Sequence, residues 1–319
     1  METNEQTALD EVLEPIRISV WRLGGLHWKD LFKRVWNEVY AGHLLVHAAA
    51  LAFYFLFAMF PLLIFLVNIL GFFVARGTDL RASLISFLRR LAPASAFTLI
   101  NSAVDEIALA ADVTKLVFGL ITALWFGSLG VAALSESLNA MYGVRETRSW
   151  LRVRASAVGL TMVLLTLTFT ALFLVVYAGT AGAAIAGYLG QGALFAVLWS
   201  IAQMPVSVAF MLLALALVYY FAPDLHEQKW YWITPGSVVG VVLWLAVSAA
   251  LSTYLSYVDS YSVTYGSLAG VIILMLWFYV TGAAILIGGK INAEIEHEAA
   301  RAGFPDAKLH GERDAPQNG

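Results

Sequence analysis

The chain has 319 residues, of which 60% are hydrophobic and only 13% charged, and its formal net charge is −3. Soluble globular domains carry about 25% charged residues, so this composition argues against a soluble protein and predicts one that lies largely in a membrane. The absence of cysteine excludes disulfides, thiolate catalysis and cysteine-ligated metal.

The beginning of the chain is polar and is not expected to be a cleaved signal peptide. Residues 1–27 are predicted to form a cytoplasmic polar tail. In residues 28–41 the apolar side chains recur at steps of three and four, with charged side chains between them. This pattern predicts an amphipathic helix in the membrane interface; the alternative is a helix packed on other cytoplasmic elements.

Six long apolar blocks follow, and each can cross a hydrocarbon core that requires roughly 20 helical residues. The predicted fold is therefore an all-α, polytopic integral membrane protein with six transmembrane helices in a domain that spans residues 44–289. The blocks are 44–75, 114–134, 156–178, 194–222, 236–257 and 267–289. Pro61 and Pro205 lie inside two of them and predict helix kinks.

Two further segments complete the chain. The 76–113 loop carries two apolar stripes separated by Pro93 and is expected to form short amphipathic helices. Residues 290–319 are expected to be a cytoplasmic C-terminal tail. Fourteen of the 19 Lys and Arg residues fall on the side of the membrane that holds both termini, whereas the 76–113 loop with Lys115 holds the other five. The distribution of bases places both termini in the cytoplasm.

Polar side chains within the blocks are candidates for a cavity or path. No Asp, Glu, Lys or Arg lies clearly in the middle of a block, which argues against an ion pump. The milder groups Asn68, Gln203 and Ser207 lie near the two prolines. They either support kinks and helix–helix hydrogen bonds or line a cavity.

A serine strip in the fifth block raises the same question. Its members step by four residues, and the turn that follows holds an acid and several tyrosines. The strip predicts either helix packing or the outer half of a path. The residues are Ser248, Ser252, Ser256 and Ser260, with Asp259 and Tyr261 in the turn.

Charged and amide side chains gather at the predicted cytoplasmic ends of the blocks. They are interpreted either as helix-end anchors or as a network in which Glu136 pairs with an arginine or with Lys290. The arginines can also hold anionic lipid headgroups. The candidate residues are Glu136, Asn139, Arg145, Arg148, Lys290, Asn292 and Glu294.

Two GxxxG pairs, Gly236/Gly240 and Gly266/Gly270, allow close approach of helix backbones. They can serve either packing within the bundle or contact between copies of the chain in a homo-oligomer, and the pattern leaves both open.

Four motif blocks in this order resemble the YihY/BrkB family of bacterial inner-membrane proteins. They are HAAALAFYFLFAMFPLLIFL, LWFGSLGVAALSESLNAMYGVRETRSW, YYFAPD with PGSVVGVVLWL, and YGSLAGVIILMLWFYVTGAAILIGGKINAEIE. The resemblance implies six transmembrane helices and cytoplasmic termini. Members have been linked to serum resistance, to envelope or lipid transport and, through an old label, to ribonuclease activity.

The leading functional hypothesis is transport, or assistance in the transport, of a lipid or other amphipathic envelope component. A structural or scaffolding membrane protein is the alternative, and a membrane-bound hydrolase is third. The histidines are scattered and no basic groove is evident, so a nuclease and nucleic-acid partners are not expected. The expected partners are membrane lipids, and no catalytic residue, cofactor or metal is predicted.

Overall fold

The computed structural model describes residues 26–41, 43–75, 113–188, 192–225, 233–257 and 267–301. These residues form seven helices and contain no strand, which confirms the all-α prediction. The helices are α1 (Trp28–Tyr40), α2 (His43–Ala75), α3 (Val113–Tyr142), α4 (Trp150–Tyr188), α5 (Gly192–Phe221), α6 (Pro235–Tyr257) and α7 (Ser267–Arg301). The predicted helices of the 76–113 loop lie outside the described residues, apart from the start of α3.

Helices α2 to α7 are long and apolar enough to cross a membrane, so the six predicted transmembrane helices are confirmed. Three of them extend beyond their apolar blocks. Helix α3 continues to Tyr142, α4 covers Trp150–Tyr188, and α7 runs through the first part of the predicted C-terminal tail to Arg301. The apolar pattern marks the part of each helix that matches the hydrocarbon thickness, and the helical structure continues beyond that part.

Local sequence explains several boundaries. Thr234 caps α6 reciprocally, because its hydroxyl oxygen accepts a hydrogen bond from the Ser237 backbone N–H (3.1 Å) and its own N–H donates to the Ser237 hydroxyl oxygen (3.0 Å). Gly143 ends α3 with φ of 68°, a left-handed conformation that glycine adopts without strain. Pro61 and Pro205 lie within α2 and α5, and each helix continues through its proline.

Helix α7 is the centre of the bundle. It packs on α2, α6, α3 and α1, whereas α4 packs mainly on α5 and α3, and α5 touches α6 only lightly. The α4–α5 pair is thus attached to the rest of the bundle chiefly through α3.

Burial is concentrated at one end of the bundle, where the first turns of α2, α4 and α6 meet the last turns of α3, α5 and α7. We call this the closed end. Its apolar core comprises Leu44, Ala48, Leu51, Val131, Leu134, Leu138, Met141, Ala157, Leu160, Val218, Tyr219, Ala222 and Leu286.

The opposite half of the bundle, the open half, contains few buried side chains among the described residues. Helices there remain together in pairs, with Phe65 of α2 against Gly119 of α3 and Phe195 of α5 against Gly182 of α4. Contacts that join α5 to α6 and α7, such as Leu215 near Gly240, lie towards the closed end.

Helix α1 has two apolar faces with different surroundings. Leu31 and Val35 are buried against Ile291 and Ile295 of α7, so the predicted packing on another element is present. The aromatic stripe, defined as Trp28, Phe32, Trp36 and Tyr40, is exposed. That exposure is compatible with the interfacial position, which stays a prediction.

Candidate ligand site and the polar network of the closed end

The connection between α3 and α4 is tied to the end of α5 by a cluster of five residues, the Asp224 cluster: Asn139, Glu146, Thr147, Arg148 and Asp224. The Asp224 carboxylate accepts hydrogen bonds from the backbone N–H (2.8 Å) and the hydroxyl (2.6 Å) of Thr147. The Asp224 N–H donates to the side-chain oxygen of Asn139 (2.7 Å), whose amide nitrogen donates to Glu146 (2.9 Å). The cluster thereby joins α3, α4 and α5.

Arg148 completes this cluster. Its Nε and Nη2 atoms donate to the two oxygens of Glu146 at 2.8 and 2.7 Å, and Nη2 also donates to the Ala222 carbonyl at 3.0 Å. Two parallel charge-assisted bonds of this kind are strong and directional. Hydrogen bonding from Arg148 lowers the pKa of the Glu146 carboxyl.

A second polar network joins α1 to α7. Lys290 is only 4% exposed, and its ammonium lies 2.9 Å from Glu294 and 3.5 Å from Glu38. Arg34 lies 3.0 Å from Glu298 and 3.4 Å from Glu294. Charges of alternating sign therefore hold α1 against the last turns of α7.

The structure distributes the predicted cytoplasmic-face residues over these networks. Asn139 and Arg148 belong to the Asp224 cluster, and Lys290 and Glu294 belong to the α1–α7 network. The side-chain oxygen of Asn292 accepts a hydrogen bond from the Gly236 N–H (3.0 Å) at the start of α6. Arg145 is exposed.

Of the two interpretations of the charged helix ends, the ion pair of Glu136 is not formed within the part of the chain that the structure describes. Glu136 is exposed and forms no ion pair with a described residue, because it faces outward one turn before Asn139 turns inward. Lys290 binds Glu38 and Glu294 instead. Sequence reasoning missed Glu38, Arg34 and Asp224; the position of Asp224 directly after an apolar block was the available signal.

Glycines allow the close approach of α6 and α7. A Cβ added to Gly236 would collide with the Gly288 carbonyl oxygen, and one added to Gly288 would collide with the Tyr219 hydroxyl. That hydroxyl donates to the Ile285 carbonyl at 2.8 Å. The Gly236/Gly240 pair therefore serves packing within the bundle, whereas Gly270 faces open space and Gly266 lies outside the described residues.

Two of the predicted cavity residues form hydrogen bonds within their own helices, and the cavity itself stays a prediction. The Asn68 amide donates to the Ile64 carbonyl (2.7 Å) and the Ser207 hydroxyl to the Gln203 carbonyl (2.8 Å), each within its own helix. Neither acceptor is the carbonyl four residues before a proline. Ser252 is exposed on α6, while the side chain of Ser256 and residues Asp259 and Tyr261 fall outside the described part.

One charged side chain does reach into the bundle. Arg154 of α4 is 9% exposed, its guanidinium carbon lies 4.0 Å from the centroid of the Trp125 ring, and its Nη2 donates to the Trp125 carbonyl at 3.2 Å. Trp125 lies near the middle of α3. Arg154 precedes the third apolar block in the sequence, and its long aliphatic stem carries the guanidinium from there to the Trp125 ring.

Two buried side-chain nitrogens in the described part of the chain lack a hydrogen-bond partner, Nε of Arg154 and Nε1 of Trp199. Buried polar groups are nearly always hydrogen-bonded, so each requires an explanation. Nε of Arg154 belongs to a charged group, which makes it the stronger candidate for a ligand contact. No three His, Asp or Glu side chains in the described ranges are grouped closely enough to hold a metal ion.

Comparison with known proteins extends these observations. The family described as "Virulence factor BrkB" matches residues 35–311. The chain is 34% identical to the ribonuclease-like protein YfkH of Bacillus subtilis over 246 residues, which cover 77% of this chain and 88% of the relative. It is 26% identical over 267 residues to the UPF0761 membrane protein Smlt0865 of Stenotrophomonas maltophilia, covering 82% of this chain.

The chain spans 59% of the length of the Stenotrophomonas relative. It is also 24% identical over 181 residues to a UPF0761 membrane protein of Tolumonas auensis, with 56% of each chain covered. No solved structure matches the chain. The family match covers most of the sequence, and the six long apolar helices are those expected of a membrane protein. The chain therefore belongs to the BrkB family of membrane proteins.

Proposed function

We propose that the protein transports, or assists in the transport of, a lipid or another amphipathic component of the cell envelope. The observation that carries the proposal is the unequal packing of the bundle. Among the described residues, side chains are buried at the closed end, whereas the helices of the open half remain together mainly in pairs. A transporter that works by alternating access needs a bundle that packs on one side of its site while the other side is accessible.

The light contact between α5 and α6 offers a lateral route for such a cargo. Apolar side chains on both helices are exposed, among them Ile201 and Met204 on α5 and Val242 and Leu245 on α6. An amphipathic molecule can place its acyl chains along such surfaces without a buried proton relay. Membrane lipids are the partners that this arrangement favours. A second copy of the chain can pack on the face of α7 that carries Gly270, because no atom lies within 4 Å of a Cβ placed there.

We place the protein in the bacterial inner membrane with both termini in the cytoplasm. Six crossings put the two ends of the chain on one side, and α1 contacts the end of α7. That side carries Arg34, Arg148 and Lys290, so the closed end is assigned to the cytoplasm by the positive-inside rule.

We further propose that the protein is not an enzyme, although the Bacillus subtilis relative is named ribonuclease-like. Metal-assisted phosphodiester cleavage uses clustered carboxylates. Here Glu146 and Asp224 face Arg148, and Glu294 faces Lys290 and Arg34. Carboxylates held by bases in this way favour a structural role for the acids of the closed end.

The proposal is tested with the full chain in liposomes of phosphatidylcholine and phosphatidylglycerol that carry fluorescent lipid analogues. The chain has no cysteine, so Thr147→Cys with Asp224→Cys introduces a single pair across the Asp224 cluster. We expect lipid movement with the wild-type protein, a block when this pair is cross-linked, and recovery after the cross-link is reduced. The reduced double variant and the two single variants are the controls. Absence of movement for every envelope lipid class tested would contradict the proposal.

A scaffolding role is the second candidate, and the exposed aromatic stripe of α1 favours it. A scaffold would move no lipid in either redox state of the cysteine pair. It would instead lose a bound envelope partner when Phe32 and Trp36 are replaced by glutamine, with the fold intact.

A further inference from the structure

We propose that Arg154 and the ring of Trp125 form a binding site for the phosphate of an anionic membrane lipid. This inference rests on the proposed function, because it names the chemical class of the molecule that the bundle holds. The site lies between α3 and α4, away from the Asp224 cluster and the α1–α7 network.

The first argument is charge. Arginine remains protonated in proteins, and a buried charge is costly unless it is both paired with an opposite charge and hydrogen-bonded. The Trp125 carbonyl supplies a hydrogen bond to Arg154 but no negative charge. The acids of the closed end are engaged elsewhere, Glu146 and Asp224 with Arg148 and Glu294 with Lys290. No acidic side chain among the described residues forms an ion pair with Arg154, so an anion from outside the chain is the counter-charge that the site requires.

The second argument is the geometry of the guanidinium. Trp125 makes two contacts with it: the ring centroid lies 4.0 Å from the guanidinium carbon, and the Trp125 carbonyl accepts a hydrogen bond from Nη2. Nε has no partner among the described atoms. Nε and Nη2 form the edge with which Arg148 grips both oxygens of Glu146. The same edge of an arginine matches two phosphate oxygens.

The third argument concerns the rest of the ligand. Trp125 is 49% exposed, and Ile121 and Phe118, which precede it on the same face of α3, are also exposed. This apolar strip runs from the guanidinium towards the open half of the bundle. It suits the acyl chains of a lipid whose phosphate lies at Arg154, whereas a free phosphate ion would leave it unused.

Lipid binding by the delipidated full chain in dodecyl maltoside tests the proposal. Native mass spectrometry counts bound phosphatidylglycerol, with phosphatidylcholine and inorganic phosphate in parallel samples. We expect phosphatidylglycerol to bind the wild-type protein more tightly than either of the others. Arg154→Gln should weaken its binding by about tenfold or more, because hydrogen bonds to a charged group are lost. Arg154→Lys should retain part of the binding.

Arg152→Gln is the matched control, since Arg152 lies on the same helix end but is exposed. It removes the same charge and should leave phosphatidylglycerol binding within about twofold of wild type, as expected for an exposed base. Thermal unfolding without lipid checks that each variant is folded. If Arg154→Gln does not fold, phosphatidylglycerol binding is compared between Arg154→Lys and Arg152→Gln. Weaker binding by Arg154→Lys then supports the site, and equal binding overturns it.

Equal binding of phosphatidylglycerol to folded Arg154→Gln and wild type would overturn the site. Arg154-dependent binding of inorganic phosphate in preference to the lipid would overturn the lipid assignment, and equal affinity for phosphatidylcholine would overturn the anionic class. Binding that depends on Arg154 without any lipid movement in liposomes would leave the site in place and contradict the proposed transport. Lipid movement without Arg154-dependent lipid binding would support the proposed transport and contradict the site.

Discussion

The hydroxyl of Thr147 donates a 2.6 Å hydrogen bond to the carboxylate of Asp224, two residues that are 77 positions apart in the sequence. The bond fastens the α3–α4 connection to the end of α5. Together with the apolar contacts of Val218, Tyr219 and Ala222, this bond holds the end of α5 at the closed end.

Asp224→Asn should therefore destabilise the protein. The amide keeps the shape of the side chain but loses the charge beside Arg148 and one of its two acceptor oxygens. The expected loss is about 1–3 kcal/mol, the usual cost for a hydrogen bond to a charged group, measured as a lower Tm in detergent. Asp30→Asn on the exposed face of α1 is the control, and an equal loss there would contradict the role of Asp224.

The contribution of Glu146 should depend on pH. Hydrogen bonds from Arg148 lower the pKa of Glu146 in the folded protein below its usual value of 4.5. A carboxyl whose pKa is lower in the folded state stabilises the fold above its unfolded pKa and loses that effect as the pH falls through its folded pKa. The Tm difference between wild type and Glu146→Gln should thus be constant near neutral pH and shrink below about pH 4.5. A difference that grows on acidification would refute the assignment.

Lys290 should be among the most sensitive charged positions. It is nearly fully buried between Glu38 and Glu294, so Lys290→Gln removes the buried positive charge from Glu38 and leaves Glu294 with Arg34. Breaking a buried pair by removing one partner costs about 3–5 kcal/mol. Lys33→Gln on the exposed face of α1 should be nearly neutral. A double-mutant cycle with Glu38→Gln measures the coupling, and additive effects would show that the pair contributes nothing.

Adjacent residues of α1 should respond in opposite ways. Leu31 is buried against Ile291 and Ile295, whereas Phe32 is exposed. Leu31→Ala should cost about 2 kcal/mol or more, while Phe32→Ala should hardly change the Tm in detergent.

In bilayers with brominated lipids, a protein whose other tryptophans are replaced should show quenching of Trp36 at interfacial depth. Quenching equal to that in lipid-free detergent would exclude the interfacial position.

The glycines of α6 and α7 supply a steric test. Gly288→Ala places a methyl group against the Tyr219 hydroxyl and the Gly236 backbone, and overpacking of this kind costs about 1–3 kcal/mol. Gly270→Ala meets no atom within 4 Å and should be neutral or slightly stabilising, since alanine favours helix over glycine. A similar Tm loss in both variants would argue against the close α6–α7 contact.

The sequence by itself determined the fold class, the six crossings and the general location of the polar ends. These features follow from local rules, because runs of apolar residues must match the hydrocarbon thickness and charged residues must stay outside it. The Thr234 cap that the structure shows is a local feature of the same kind, since capping depends on neighbours within one turn. Asn139, Arg148, Lys290 and Glu294 were identified as polar ends, but their partners were not.

Only the tertiary structure decided which residues meet. Thr147 and Asp224, or Lys290 and Glu38, are brought together by the packing of helices that are distant in sequence, and no periodicity encodes such a pairing. The same packing assigned Gly236 to the interior and left Gly270 open, although each belongs to a GxxxG pair. It also decided that the guanidinium of Arg154 lies over the ring of Trp125. The arginine side chain is long and flexible, so the position of Arg154 in the sequence does not tell where its charge lies.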